Sequence, residues 1–161
     1  MTYDEPSDDV LTVSTSMSRA DRQRFLADLH VGVLHVAAGA GTLAVPIWYD
    51  YSPDVGVSVI TSLTSRKGTA IGATGRYGLV AQEEHGGYRY VSVEGPVVES
   101  RPCGYERDLM PMAVRYLGPS AGGVYAEAWR DGGLGDQQVI TMRPEQWFAA
   151  DFTEQFAALG V

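Results

Sequence analysis

Arg66 and Lys67 follow a hydroxyl-rich turn, Ser62 to Ser65, at the end of an apolar run, and the pattern there reads as the start of a short helix. Two adjacent cations at a helix N-terminus are unfavourable without an anion, because that end already carries partial positive charge. With an anion present the same arrangement becomes a site. Backbone N–H groups point out of the first turn, Ser65 supplies an N-cap hydroxyl, and the cations add charge-assisted contacts, a combination that suits a phosphate. The competing reading of Arg66 and Lys67 is a solvated surface pair. Thr61 shares one strand face with Val55, Val57 and Val59 by period-two alternation, and a β-branched residue there needs no ligand to explain it.

The elements that must position this turn are mostly strands. Ser18 is a candidate N-cap for a helix over Arg19 to Leu29, with Phe25, Leu26 and Leu29 as its buried stripe. Val31 to Ala38 and Thr42 to Tyr51 read as a hairpin around Gly39 to Gly41. Pro46 suits an edge position because it cannot donate to a ladder. A third strand leads into the turn, and a helix over Arg66 to Thr74 leaves it. Tyr77 to Glu84 and Tyr88 to Ser100 are the fourth and fifth strands, with a bend expected at Gly95-Pro96. Tyr105 to Leu117 has helical spacing, Gly118-Pro119 ends it, and Val124 to Arg130 reads as a second short helix. Gln137 to Arg143 is the last strand, followed by an aromatic tail with Trp147, Phe148, Phe152 and Phe156. The expected class is mainly β (α+β): a six-stranded antiparallel barrel with short flanking helices, since most strand links are too short for parallel crossovers.

Composition narrows the partners. The chain has 161 residues, which suits one domain, and a formal net charge of −8, which leaves no basic footprint for nucleic acid. One cysteine, Cys103, excludes an intrachain disulfide framework and fits a reducing, cytoplasmic setting. No run has the length of a membrane span, and the acidic start lacks the basic and apolar regions of a signal peptide; residues 1–15 are expected to form a mobile arm. His30, His35 and His85 are dispersed without metal-ligand spacing, so no metal site is expected. Cys103 has Arg101 as its one basic neighbour and reads as an ordinary thiol. Trp48 and Tyr49 fall on opposite strand faces, so at most one of them faces a ligand. Tyr88 and Tyr90 share a face and either line a cleft or pair across strands.

The run Ile60-Thr-Ser-Leu-Thr-Ser-Arg-Lys67 resembles the strand-and-turn motif of the pyridoxamine 5′-phosphate oxidases. The hairpin strand Ala44-Val-Pro-Ile-Trp-Tyr49 before it and the strand Tyr88-Arg-Tyr-Val-Ser-Val-Glu-Gly95 after it are also similar, over roughly Phe25 to Glu99. The wider group is the flavin/deazaflavin oxidoreductase superfamily. The resemblance implies a split β-barrel, a homodimer with the cofactor at the subunit interface, and FMN or the deazaflavin F-420 as cofactor. It implies phosphate contacts from Thr61, Ser65, Arg66 and Lys67, and ring-flanking roles for Ile47, Trp48 and Ile60. Val45, Asp50 and Tyr90 stand where the oxidases carry Arg, Lys and Gln, which points away from vitamin B6 as substrate. The implied activity is hydride transfer to or from a small organic molecule, with no catalytic side chain singled out. A carrier or sensor of flavin or haem on the same barrel is the alternative.

Overall fold

The protein is described by a computed structural model over residues 14–160. In chain order the elements are α1 (Arg19–Ala27), β1 (Gly32–Ala38), β2 (Gly41–Ile47), β3 (Tyr49–Ser52), β4 (Gly56–Ser62), α2 (Arg66–Thr74), β5 (Arg76–Glu83) and β6 (Arg89–Pro102). A π-helical turn (Tyr105–Leu109) then runs into α3 (Met110–Gly132), followed by β7 (Gln137–Met142), β8 (Gln146–Asp151) and α4 (Thr153–Ala158). The class is mainly β with helices, as the sequence implies. The arm expected over residues 1–15 falls largely outside the described residues; within them, the Thr15 carbonyl accepts a hydrogen bond from Asp151 N at 2.9 Å.

All pairings are antiparallel, in the order β2-β1-β5-β6-β7-β4-β3, with β8 on β6. Among the described residues there are eight strands where the sequence led us to expect six. One extra strand arises because Thr42 to Tyr51 is not continuous: it breaks at Trp48 into β2 and β3. The other is β8, which the aromatic tail forms against the inner half of β6. The ladder is not closed by hydrogen bonds. Its two end strands, β2 and β3, are instead joined covalently through the single residue Trp48. Pro46 thus lies on an edge strand, where its missing N–H costs no ladder bond.

The second passage between the two halves is β6, the one strand that pairs in both. It pairs with β5 as far as Pro96 and with β8 as far as Glu94, then takes β7 from Val97 onward, with a register shift between Val97 and Glu99. At the crossing the Arg143–Glu145 turn lies directly on Gly95. A Cβ on Gly95 would stand 1.9 Å from the Arg143 carbonyl oxygen, so no side chain fits.

Inward-facing Leu34, Val36, Val57, Val59, Leu79, Ala81, Val91, Val93, Ile140 and Met142 fill the interior. Each large member contributes roughly 1.5–3 kcal/mol by leaving water. α1 closes one end with Phe25 and Leu26; it stops at Ala27, where Asp28 becomes extended, so Leu29 is exposed rather than part of the buried stripe. Two buried tyrosines satisfy backbone acceptors across the core: Tyr49 Oη donates to Leu26 O (2.8 Å), and Tyr77 Oη to Val57 O (2.8 Å). Tyr88 packs on Tyr90 and Phe152 with ring centroids 5.9 Å apart, so the pair is ordinary strand packing.

α3 bends at Gly118, whose φ of 79° is non-helical, so the first helix ends where expected; the second stretch starts at Pro119, five residues before the expected Val124, because a proline fits a first helical turn. Pro111 does not kink the helix, because it sits in the first turn, where a proline needs no N–H partner.

Gly95→Ala is expected to destabilise the fold by about 1–3 kcal/mol, seen as a lower urea midpoint. Gly41→Ala, whose Cβ would meet nothing within 4 Å, is the matched control expected to leave it unchanged.

Candidate functional site

Between β4 and the Tyr105–Gly132 helical segment lies a cavity of about 470 Å³. One wall is strand: Ile47 and Trp48 at the β2–β3 corner, and Ile60 and Thr61 on β4. The roof is Leu109, Met112, Tyr125 and Trp129, with Leu134 beyond them. At one end stand Ser62, Ser65, Lys67 and Gln137. The volume is that of a small-molecule site, with an apolar trough and a polar terminus.

The structure gathers six of the seven sequence-selected residues on this cavity: Ile47, Trp48, Ile60, Thr61, Ser65 and Lys67 line it. Arg66 does not. It is exposed at the first position of α2, while Lys67, one residue on, is half-buried and turned to the cavity. A helix rotates about 100° per residue, so adjacent cations cannot face the same way.

The hydroxyls of the turn divide into two sets. Ser62 Oγ and Thr64 Oγ1 donate to Asp136 Oδ2 at 2.6 and 2.8 Å, and Thr64 N donates to the same oxygen at 3.0 Å. These bonds, led by the Ser62 hydroxyl, hold the Asp136 carboxyl below its usual range and staple the turn to the segment before β7. Ser65 Oγ donates to Ser62 O (2.7 Å) and accepts from Gly68 N (3.1 Å), so it acts as the N-cap of α2. Thr61, nearly fully buried, has its Oγ1 3.2 Å from Ser65 Oγ. With the Ser65 proton given to Ser62 O, Thr61 is the donor in that pair, so the donors left for an anion are Lys67 and the first helical N–H groups, of Arg66 and Lys67, which have no intrahelical acceptor. Gly68 lets α2 approach this closely: a Cβ there would lie 2.1 Å from Ser62 O.

The roof is tied down at two points. Asp108, in the π-helical turn, accepts from Arg101 Nη1 and Nη2 (2.7 and 2.8 Å) and from Gly104 N (2.8 Å). The bidentate guanidinium, ahead of the other contacts, pulls its carboxyl down to about 2. At the other point Tyr116 on α3 meets the β2–β3 corner. Its Oη accepts from Tyr49 N (3.0 Å) and donates to His30 O (2.7 Å), and its ring stacks on Trp48 with centroids 5.0 Å apart and planes 5° from parallel. Tyr125 tilts against the Trp48 ring at 5.3 Å. Trp48 is thus held between roof and corner as a fixed part of the cavity wall.

The sequence did not point to Trp129, Tyr125, Leu109 or Asp136 as site residues. They lie in the one stretch without a strand pattern, and nothing local to them announces a site. Cys103 is buried, and burial pushes its thiol up, in keeping with an unreactive cysteine. Among the described residues no group of His, Cys, Asp and Glu side chains could hold a metal ion, and no histidine lines the cavity. No helix of the described residues is long and apolar enough to cross a membrane.

No protein-family model matches the chain, and no curated protein sequence does. Solved structures do match. A conserved hypothetical protein from Mycobacterium tuberculosis superposes with a TM-score of 0.69 at 18% identity, over 92% of this chain and 91% of its own. An F-420 reductase gives 0.61 at 16% identity, over 78% and 94%. A FAD-binding protein from Mesorhizobium loti gives 0.59 at 21% identity, over 84% and 95%. The chain has the fold of these proteins, an F-420 reductase and a FAD-binding protein among them. That is the fold the motif at Ile60 to Lys67 led us to expect.

Two tests address how the roof is held. Asp108 has a lower carboxyl pKa folded than its usual 3.8, so its contribution is full above about pH 4 and is lost as pH falls toward 2. Asp108→Asn is therefore expected to cost about 2 kcal/mol at pH 6, and the gap to the parent protein should close as acid unfolding is followed down to pH 2. Tyr116→Phe keeps the ring on Trp48 but leaves the Tyr49 N–H without its acceptor. A loss of about 1–3 kcal/mol is expected, with faster hydrogen exchange at Tyr49.

Proposed function

We propose that this cavity binds a flavin-type cofactor, FMN or F-420, by its phosphate end and tricyclic ring, in an oxidoreductase acting on a small organic substrate. The observation that carries the reading is the polarity of the cavity. Lys67, Thr61 and the open N-terminus of α2 stand at one end, and Ile47, Trp48, Ile60, Met112 and Trp129 extend from it as an apolar trough. A molecule with a charged phosphate and a flat apolar ring matches that sequence of surfaces. The shared fold with an F-420 reductase and a FAD-binding protein supports it.

The residues present fit such a group. Neither Arg66 nor Lys67 has an ion pair or side-chain hydrogen bond among the described residues, so both cations are available to a phosphate; Lys67 is placed to touch it and Arg66 to add charge from the rim. Ile60 and Met112 present aliphatic surface, and Trp48 is locked in place by Tyr116. A bound flavin or deazaflavin supplies the hydride chemistry itself. The protein's part is to anchor the phosphate, fix the ring plane and keep bulk water from it, and none of this needs a nucleophilic side chain. In this reading the protein is a cytoplasmic homodimer, the partner completing the side of the cavity that a second substrate approaches.

Titration with FMN and with F-420, followed by fluorescence, tests the assignment. One of the two should bind saturably. Lys67→Ala should weaken it by at least tenfold, the loss of a charge-assisted contact worth roughly 1.5–3 kcal/mol. Arg66→Ala should have a smaller effect. Saturable binding of neither cofactor, or affinity indifferent to Lys67, overturns the proposal.

A further inference from the structure

We propose a second, separate ligand site: a basic cavity on the opposite flank of the molecule that takes a small polyanion, a phosphate ester or a di- or tricarboxylate. The cavity, about 630 Å³, lies between the first turns of α1 and the crossing after β7, and shares no lining residue with the one under α3. Arg19 and Arg22 enter it from α1 and Arg143 from the end of β7; Asp54 is the one acidic residue on its wall. Tyr51, Trp147 and Pro144 form an apolar floor.

Three arginines converging in a chain of net charge −8 need a reason. Arg19 and Arg22 are three positions apart on one helix face, a like-charge spacing that is itself unfavourable. Neither has an ion pair with any described residue. The acid nearest in sequence, Asp21, is taken up by Arg24 and Ser18 on the other side of the helix. Arg143 has only an exposed contact of 3.5 Å with Glu145. Arg22 is held with its guanidinium 5.7 Å from the Trp147 ring, and its buried Nε has no hydrogen-bond partner. Tyr51 packs edge-on to the same ring at 6.1 Å, fixing it in turn. An immobilised guanidinium with an unmet donor, flanked by two further arginines, calls for oxyanion acceptors. The apolar floor gives the carbon skeleton of such a ligand a surface to lie on.

Isothermal titration of the whole protein with pyrophosphate and, separately, with citrate at constant ionic strength tests the site. Saturable binding of either is expected, and which of them binds more tightly tells a phosphorylated from a carboxylate ligand. Arg19→Ala and Arg143→Ala, both exposed and remote from the core, should each lower the affinity at least tenfold, and Arg22→Lys should do so while keeping the charge. Lys67→Ala should leave it unchanged. Affinity that is unaltered in the arginine variants, or lost in Lys67→Ala, overturns the proposal; failure of FMN and F-420 to bind the other cavity does not bear on it.

Discussion

One hydroxyl, that of Tyr116, makes the cavity possible. The chain turns from β2 into β3 within a single residue, Trp48, and a corner that tight leaves backbone groups without ladder partners. Tyr116 reaches across from α3, accepts the Tyr49 amide hydrogen and donates to the His30 carbonyl. The bonds that satisfy the corner therefore also fasten the roof. Because the Tyr116 ring stacks on Trp48, the largest aromatic surface of the cavity wall is fixed by the same contact.

The rest of the architecture serves the same end. The two halves of the sheet communicate at the Trp48 corner and along β6, and the crossing on β6 admits only glycine at position 95. These two passages fold one antiparallel ladder around a core without closing its hydrogen bonds. β4, between β3 and β7, is then held firmly enough to present Ile60 and Thr61 on the cavity side and to deliver the Ser62–Ser65 turn at its end. Asp136 secures that turn by taking the Ser62 and Thr64 hydroxyls. A carboxylate so close to a proposed phosphate site is tolerated because its charge is spent on the turn's own donors.

Arg66 and Lys67 show how far a motif can be taken. As types, the two cations are interchangeable in the sequence. Their roles separate only when the helix phase is known, which puts Lys67 on the cavity and Arg66 in solvent. Ser65 is similar. Its hydroxyl has the right chemistry for a phosphate, but it is committed to capping α2 and so orients the site more than it contacts a ligand.

The sequence by itself determined the strands with clean alternation, the hairpin with Pro46 on an edge, the bend at Gly95-Pro96, α2 from Arg66 to Thr74, and the strand-turn-helix that carries Thr61, Ser65 and Lys67. These are local properties: period-two burial, capping hydroxyls and proline geometry act over a few residues. Only the tertiary structure decided that Trp48 is a corner, that Gln146–Asp151 is a strand, and that Met112, Tyr125 and Trp129 roof the cavity. Gln146–Asp151 has no isolated strand signature and becomes a strand because the inner half of β6 offers it unpaired backbone groups. The roof residues lie about 45 to 70 positions from the turn they cover. Their approach is set by Asp108 gripping Arg101 just before the helical segment and by Tyr116 gripping the corner, the latter a contact between distant parts of the chain that no local pattern encodes.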